Sequence, residues 1–226
     1  MPATEDTQAH LREIVINDLR SSDDGAKSAF HKEFGDELEA FADATTAALD
    51  VWGQFRDTID DIDARRVAVT AIAFTAINQN IMSFKLFMSG YTVASGALFR
   101  LVLEGVSLAS LSAVKSLTVL DRYLKDEYSP NKAVTDLAKY AAKVRVNHRA
   151  LETLVQQYKF YHRYAHLSRL TIAAGANFSM NGQPNVGAFC DPGKVREYGR
   201  EVRSRVSFTK VLPNFMQGVI HNMATW

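Results

Sequence analysis

Residues 64–88, ARRVAVTAIAFTAINQNIMSFKLFM, run through Ser89-Gly90 into residues 91–112, YTVASGALFRLVLEGVSLASLS, and this pair of segments decides the fold. Ala and Ile occupy nearly every side of the first segment, and a helix apolar all round belongs in the middle of a bundle. Asp63 stands where an N-cap would accept the first free amides. Ser89-Gly90 breaks the helix, and a second begins near Tyr91 and runs to about Lys115. Gly96, Ala97, Gly105 and Ser107 on that second helix let neighbours approach closely. Two such helices in succession predict a central antiparallel hairpin. Val67 to Phe84 carries no charge and approaches spanning length, but Asn78, Gln79 and Asn80 would be costly in lipid, so a buried core helix is expected and no membrane.

Outward from the hairpin, every segment again has helical period. Residues 1–25 read as a leading helix with Leu11, Val15 and Leu19 on one face, closed by the turn residues Ser21 to Gly25. From Phe30, the positions Phe34, Leu38, Phe41, Thr45, Ala48, Trp52, Phe55, Ile59 and Ile62 follow four- and three-residue steps, predicting one long amphipathic helix with an acidic outer face. Ser129-Pro130 starts another, to about Arg149. A further helix is expected over Ala150 to Ala174. Residues 175–193 hold four glycines, two prolines and three asparagines and read as a long loop. Lys194 to Trp226 closes the chain as a basic helix interrupted at Pro213. No segment alternates over strand length, so the expectation is an all-α, single-domain bundle of six or seven helices over residues 1–226.

With 47% hydrophobic and 23% charged residues among 226, disorder, collagen and low complexity are excluded. The single Cys190 excludes an internal disulfide framework and suits a reducing, cytoplasmic compartment. The polar, acidic N-terminus is unlike a signal peptide. Net charge is only +1, yet residues 1–63 hold 16 acids against 5 bases, and the remainder holds 9 against 21. Segregation of this kind fits an acidic helix docked on a basic one, within the fold or across a homodimer, or a basic face kept for a polyanion such as RNA. Arg196, Arg200, Arg203 and Arg205 on the terminal helix are the candidate nucleic-acid contacts.

Chemistry concentrates in two places. Arg100 and Glu104, four apart, are the only charges between Tyr91 and Val114 and are expected to pair. Tyr158, Tyr161, His162, Arg163, Tyr164 and His166 cluster in the following polar aromatic stretch, with His162 and His166 at a spacing that lines one helical face. A polar ligand site is therefore expected at Arg100, Glu104, Tyr161, His162 and His166, with the histidines bonded to Glu104. The zinc-protease pattern requires Glu after the first His, and Arg163 stands there, so no metal and no cofactor are expected. Gly105-Val-Ser107-Leu-Ala109 departs from the nucleophile-elbow pattern, and no glycine-rich phosphate loop occurs. Asn177-Phe-Ser179 matches a glycosylation acceptor in form only.

Gly90-Tyr91, then Leu98-Phe99-Arg100-Leu-Val-Leu-Glu104, then Tyr161-His162-Arg163-Tyr164-Ala165-His166-Leu167-Ser168 resembles a bacterial all-α domain family of unknown function related to HEPN-like helical domains. The resemblance covers roughly residues 70–175. It implies an all-α fold and, through HEPN relatives, ribonuclease chemistry in toxin or phage-defence systems. HEPN ribonucleases place a catalytic His four to six residues after an Arg. Here Arg145 and His148, like Arg163 and His166, have only two residues between them, so a nuclease site would be noncanonical. The reading from residues alone is a non-catalytic helical interaction or ligand-binding protein, dimeric, with a HEPN-like nuclease as the alternative.

Overall fold

A computed structural model of the chain describes residues 5–20, 22–57, 59, 63–176 and 187–226. All regular structure among them is helical. The central hairpin is formed by α4 (Ala64–Met88) and α5 (Thr92–Ser112). Asp63 caps α4 by accepting the Arg66 amide at 3.1 Å. Gly90 takes a positive φ of 90° in the connection, where an added Cβ would lie 2.8 Å from the Phe189 amide nitrogen. Ser83 and Ser95 donate their hydroxyls to each other's carbonyls at 2.9 and 2.7 Å, and Gly105 lies against Ala76. Both helices are long and apolar enough to cross a membrane by length and composition alone.

The other predicted segments are helical but more finely divided than six or seven elements. The leading helix is α1 (Glu5–Arg20), and α2 (Asp24–Glu33) begins inside the stretch read as a turn. The expected continuous helix from Phe30 breaks at Phe34, whose φ is −131°, before α3 (Gly35–Arg56). At the break Phe30 packs on Phe87 and Tyr198 and Phe34 on Phe30, all in one buried cluster, and Gly35 is a poor helix former at the joint. Ile62 lies outside the described residues.

After α6 (Val119–Leu124), the predicted Pro130–Arg149 helix divides into α7 (Pro130–Lys139) and α8 (Ala141–Val144). Arg145 turns left-handed, and Asn222 donates to the Val144 carbonyl at 3.0 Å, taking up an acceptor the broken helix leaves free. Asn147 then caps α9 (His148–Tyr161) through the Ala150 amide at 2.8 Å. That helix stops thirteen residues short of the expected Ala174: a 3-10 turn over His162–Ala165 follows, and Ser168 caps a separate α10 (Arg169–Gly175). Most of the predicted 175–193 loop lies outside the described residues, including Asn177 and Ser179. The basic terminal segment is α11 (Val195–Thr209) and α12 (Leu212–Met223), with Pro213 in the first turn of α12, where its missing amide costs nothing.

Two apolar clusters result. One surrounds α5 with residues of α4, α7, α9 and α12; Phe99, Leu103, Leu137, Leu154 and Phe215 are fully buried there. The other joins α2, α3, α4 and α11 through Phe30, Phe41, Phe84, Phe87 and Val202, with Phe41 and Phe84 stacked at 3.8 Å. The acidic α3 and basic α11 face each other within the chain, and Arg203 reaches Glu37 at 3.3 Å. Charge segregation along the sequence is thus partly cancelled by the fold.

Candidate functional site

The helix α11 places its chemistry inward. Tyr198, Val202, Arg205, Val206 and Thr209 follow three- and four-residue steps and are all buried. Arg205 is fully buried, between the two apolar clusters. Its guanidinium carbon sits over the rings of Phe87 at 5.0 Å, Phe99 at 4.8 Å and Tyr161 at 4.9 Å. It donates to Ser83 Oγ at 2.6 Å and pairs with Glu201 at 2.9 Å. A buried guanidinium needs this much compensation, since a bare charge in that environment costs several kcal/mol.

Glu201 collects the donors of three elements. One oxygen accepts from Arg205 and from the Tyr161 hydroxyl at 3.3 Å, and the other accepts from the Tyr164 hydroxyl at 3.1 Å. Burial pushes the pKa of both tyrosines well up, with the neighbouring Glu201 charge adding to it, so both stay protonated donors. Gly96 of α5 makes room for this arrangement: a Cβ there would lie 2.5 Å from Cγ of Tyr164.

Above Glu201 opens a cleft of about 470 Å³. Its walls are Phe160, Tyr164, Leu170, Ala173 and Ala174, its floor Glu201 and Ser204, and its lip Lys194, Glu197 and Arg200. Lys194 is held by the Ala173 and Ala176 carbonyls, both at 3.0 Å, and by Asp191 at 3.4 Å, which ties the end of α10 to the start of α11. Arg200 is exposed and makes no ion pair among the described residues.

The site expected from sequence divides in two. Arg100 and Glu104 do pair, at 2.8 Å, with side chains 17% and 8% exposed. The Tyr158 hydroxyl lies 3.5 Å from the same Glu104 oxygen, and burial followed by the Glu104 charge raises its pKa. His162 packs on Tyr158 with ring centres 5.8 Å apart, and His166 on His162 at 5.2 Å. Both imidazoles are exposed and neither bonds to Glu104, because the helix ends at Tyr161 and carries them away. Tyr161 does not join this group; it turns inward to Glu201.

Of the four arginines expected to meet nucleic acid, Arg196, Arg200 and Arg203 are exposed and Arg205 is sealed in the core. With Arg203 engaged by Glu37, two unpaired guanidinium groups remain on α11, a small footprint for phosphate contacts. Ser107 is buried and donates to the Leu103 carbonyl, and burial raises the Cys190 thiol pKa, so neither is an activated nucleophile. Among the described residues no three His, Cys, Asp or Glu side chains converge to hold a metal ion.

No family model, curated protein or solved structure matches the chain. The chemistry of the site itself must then carry the functional reading. Charge counting along the sequence groups Arg205 with the exposed bases and gives Glu201 and Ser204 no role. The signal was present: positions 198, 202, 205 and 209 share one helical face, and Glu201 sits four before Arg205.

Proposed function

We propose that this chain is a single-domain, cytoplasmic, non-catalytic protein that binds a small amphipathic anion in the cleft between α10 and α11. The observation that carries the reading is the cleft: apolar walls above a polar floor whose one carboxylate is already neutralised by Arg205. Its volume falls within the range of about 300–1,000 Å³ typical of small-molecule sites. Because Glu201 and Arg205 cancel, the floor offers hydrogen bonds without a net charge. At the lip, Arg200 supplies a planar donor fork for a carboxylate, sulfonate or phosphate. The apolar body of the ligand would lie against Phe160, Tyr164 and Leu170.

The test uses 8-anilinonaphthalene-1-sulfonate, an aromatic body with one anionic group. Saturable binding at one site per chain is expected, abolished by Ala174→Trp, which fills the cleft, and weakened about tenfold by Arg200→Glu. Binding that ignores both substitutions would overturn the reading.

A second reading rests on the exposed His162 and His166 beside Arg163 and the Arg100–Glu104 pair. Two imidazoles and a cation are the parts of a metal-independent RNA-cleaving site, as a HEPN-like defence effector would need. RNA degradation by the purified chain, lost in both His162→Ala and His166→Ala, would favour it.

A further inference from the structure

The outer face of the central hairpin is uncharged and mostly apolar from Val67 to Met82. On α4, Val67, Ala71, Phe74, Thr75, Asn78 and Met82 are exposed and share one stripe; on α5, Ala94 and Leu101 are exposed, flanked by half-buried Ala97, Leu98 and Gly105. Val67, Phe74, Met82 and Leu101 retain 39–47% of their accessible surface. The register set by Ser83 against Ser95 and Gly105 against Ala76 brings Asn78 level with Leu101, so the two stripes form one surface. No charged residue interrupts it between Arg66 and Lys85 on α4.

We infer that this face is the interface with a second copy of the same chain, related by a two-fold axis passing near Asn78 and Leu101. Two neighbouring helices of these lengths, at 8–10 Å spacing, present a face on the order of 600 Å², close to the ~800 Å² per partner of a standard interface. A face of that size lies at the upper end of the roughly 300–600 Å² that the largest apolar patch of a monomer reaches. The face is also self-complementary: it is uncharged, so a two-fold contact opposes no like charges, and Phe74, Met82 and Leu101 stand as knobs beside the small Ala71, Ala94, Ala97 and Gly105. Asn78 at the axis meets its own copy, and an amide is both donor and acceptor. Part of the charge pairing that could have joined two chains is used within one, between Arg203 of α11 and Glu37 of α3, and the hairpin face offers apolar contact for assembly.

The buried polar groups on the opposite sides of these helices speak against a lipid partner. Asn80 bonds to Thr209 and Ser83 to Ser95 and Arg205, so the hairpin is committed to its own bundle.

Sedimentation equilibrium of the full chain is expected to show a dimer at 10 µM. Leu101→Glu and, separately, Met82→Lys should weaken dimerisation at least a hundredfold, with helical circular dichroism unchanged. Leu167→Glu, an apolar residue still more exposed but on the segment between α9 and α10, should leave it intact. In a Cys190→Ser background, Asn78→Cys should form an intermolecular disulfide on mild oxidation, a readout that needs no loss of assembly. A monomer at 100 µM, a dimer indifferent to Leu101→Glu and Met82→Lys, or a monomer that sediments with phosphatidylglycerol vesicles would each overturn the inference.

Discussion

Removing the Glu201 carboxylate tests whether the Glu201–Arg205 pair organises the interior. In Glu201→Ala the guanidinium of Arg205, with no exposed surface, keeps Ser83 and three aromatic faces but loses the one counter-charge it has among the described residues. Tyr161 and Tyr164 lose their acceptor at the same time. Breaking a buried pair from one side costs about 3–5 kcal/mol, and the retained Ser83 bond and cation–π contacts, common to both proteins, hold the loss to the lower end of that range. Water entering from the cleft reaches the Tyr164 hydroxyl, so its penalty is small. A net loss of roughly 3 kcal/mol follows. Urea unfolding at pH 7, followed by circular dichroism, measures it as a lower midpoint at unchanged slope. Arg205→Met alone strands a carboxylate that still accepts from two tyrosines and faces the cleft, and should cost about 2 kcal/mol. Because removing both charges leaves neither stranded, Glu201→Ala with Arg205→Met should be more stable than Glu201→Ala alone, with a coupling of about 2 kcal/mol or more. Losses that simply add, or a Glu201→Ala cost below about 1 kcal/mol, would refute the account of this pair.

Gly96→Ala puts a Cβ 2.5 Å from the Tyr164 ring, which must shift and drag its hydroxyl from Glu201; about 1–3 kcal/mol of stability should be lost by thermal unfolding, together with anilinonaphthalene sulfonate affinity. Alkaline pH should destabilise the fold before any backbone chemistry. Burial raises Tyr198 to about 12 and pushes Tyr161 and Tyr164 well up, while in the unfolded chain all three ionise near 10. Groups with raised folded pKa stabilise fully below the unfolded value and lose that contribution as pH rises towards the folded one. The urea midpoint should therefore be flat from pH 7 to 9 and fall steeply above pH 10, with Tyr198 alone contributing a loss on the order of 2 kcal/mol at pH 12 and Tyr161 and Tyr164 adding to it. A midpoint unchanged to pH 11 would show that these hydroxyls are not buried donors.

Hydrophobic period and capping residues determined the helical class, the α4–α5 hairpin, the Asp63 cap and the Arg100–Glu104 pair, because each depends on residues within a few turns of one another. The same period overran the breaks at Phe34, Arg145 and Tyr161. There a local helix preference yields to contacts distant in sequence: Phe30 against Tyr198, Asn222 on the Val144 carbonyl, Tyr161 and Tyr164 on Glu201. Charge counting placed Arg205 with its exposed neighbours because it ignores which side of a helix meets the core. Only the packing of α4, α5, the α9 terminus and α11 at one seam decides that this arginine lies under three rings, and that a cleft opens above its carboxylate. Pattern along a chain records what each residue does to its own helix, whereas burial of a charge and the shape of a cavity belong to the several helices that surround them.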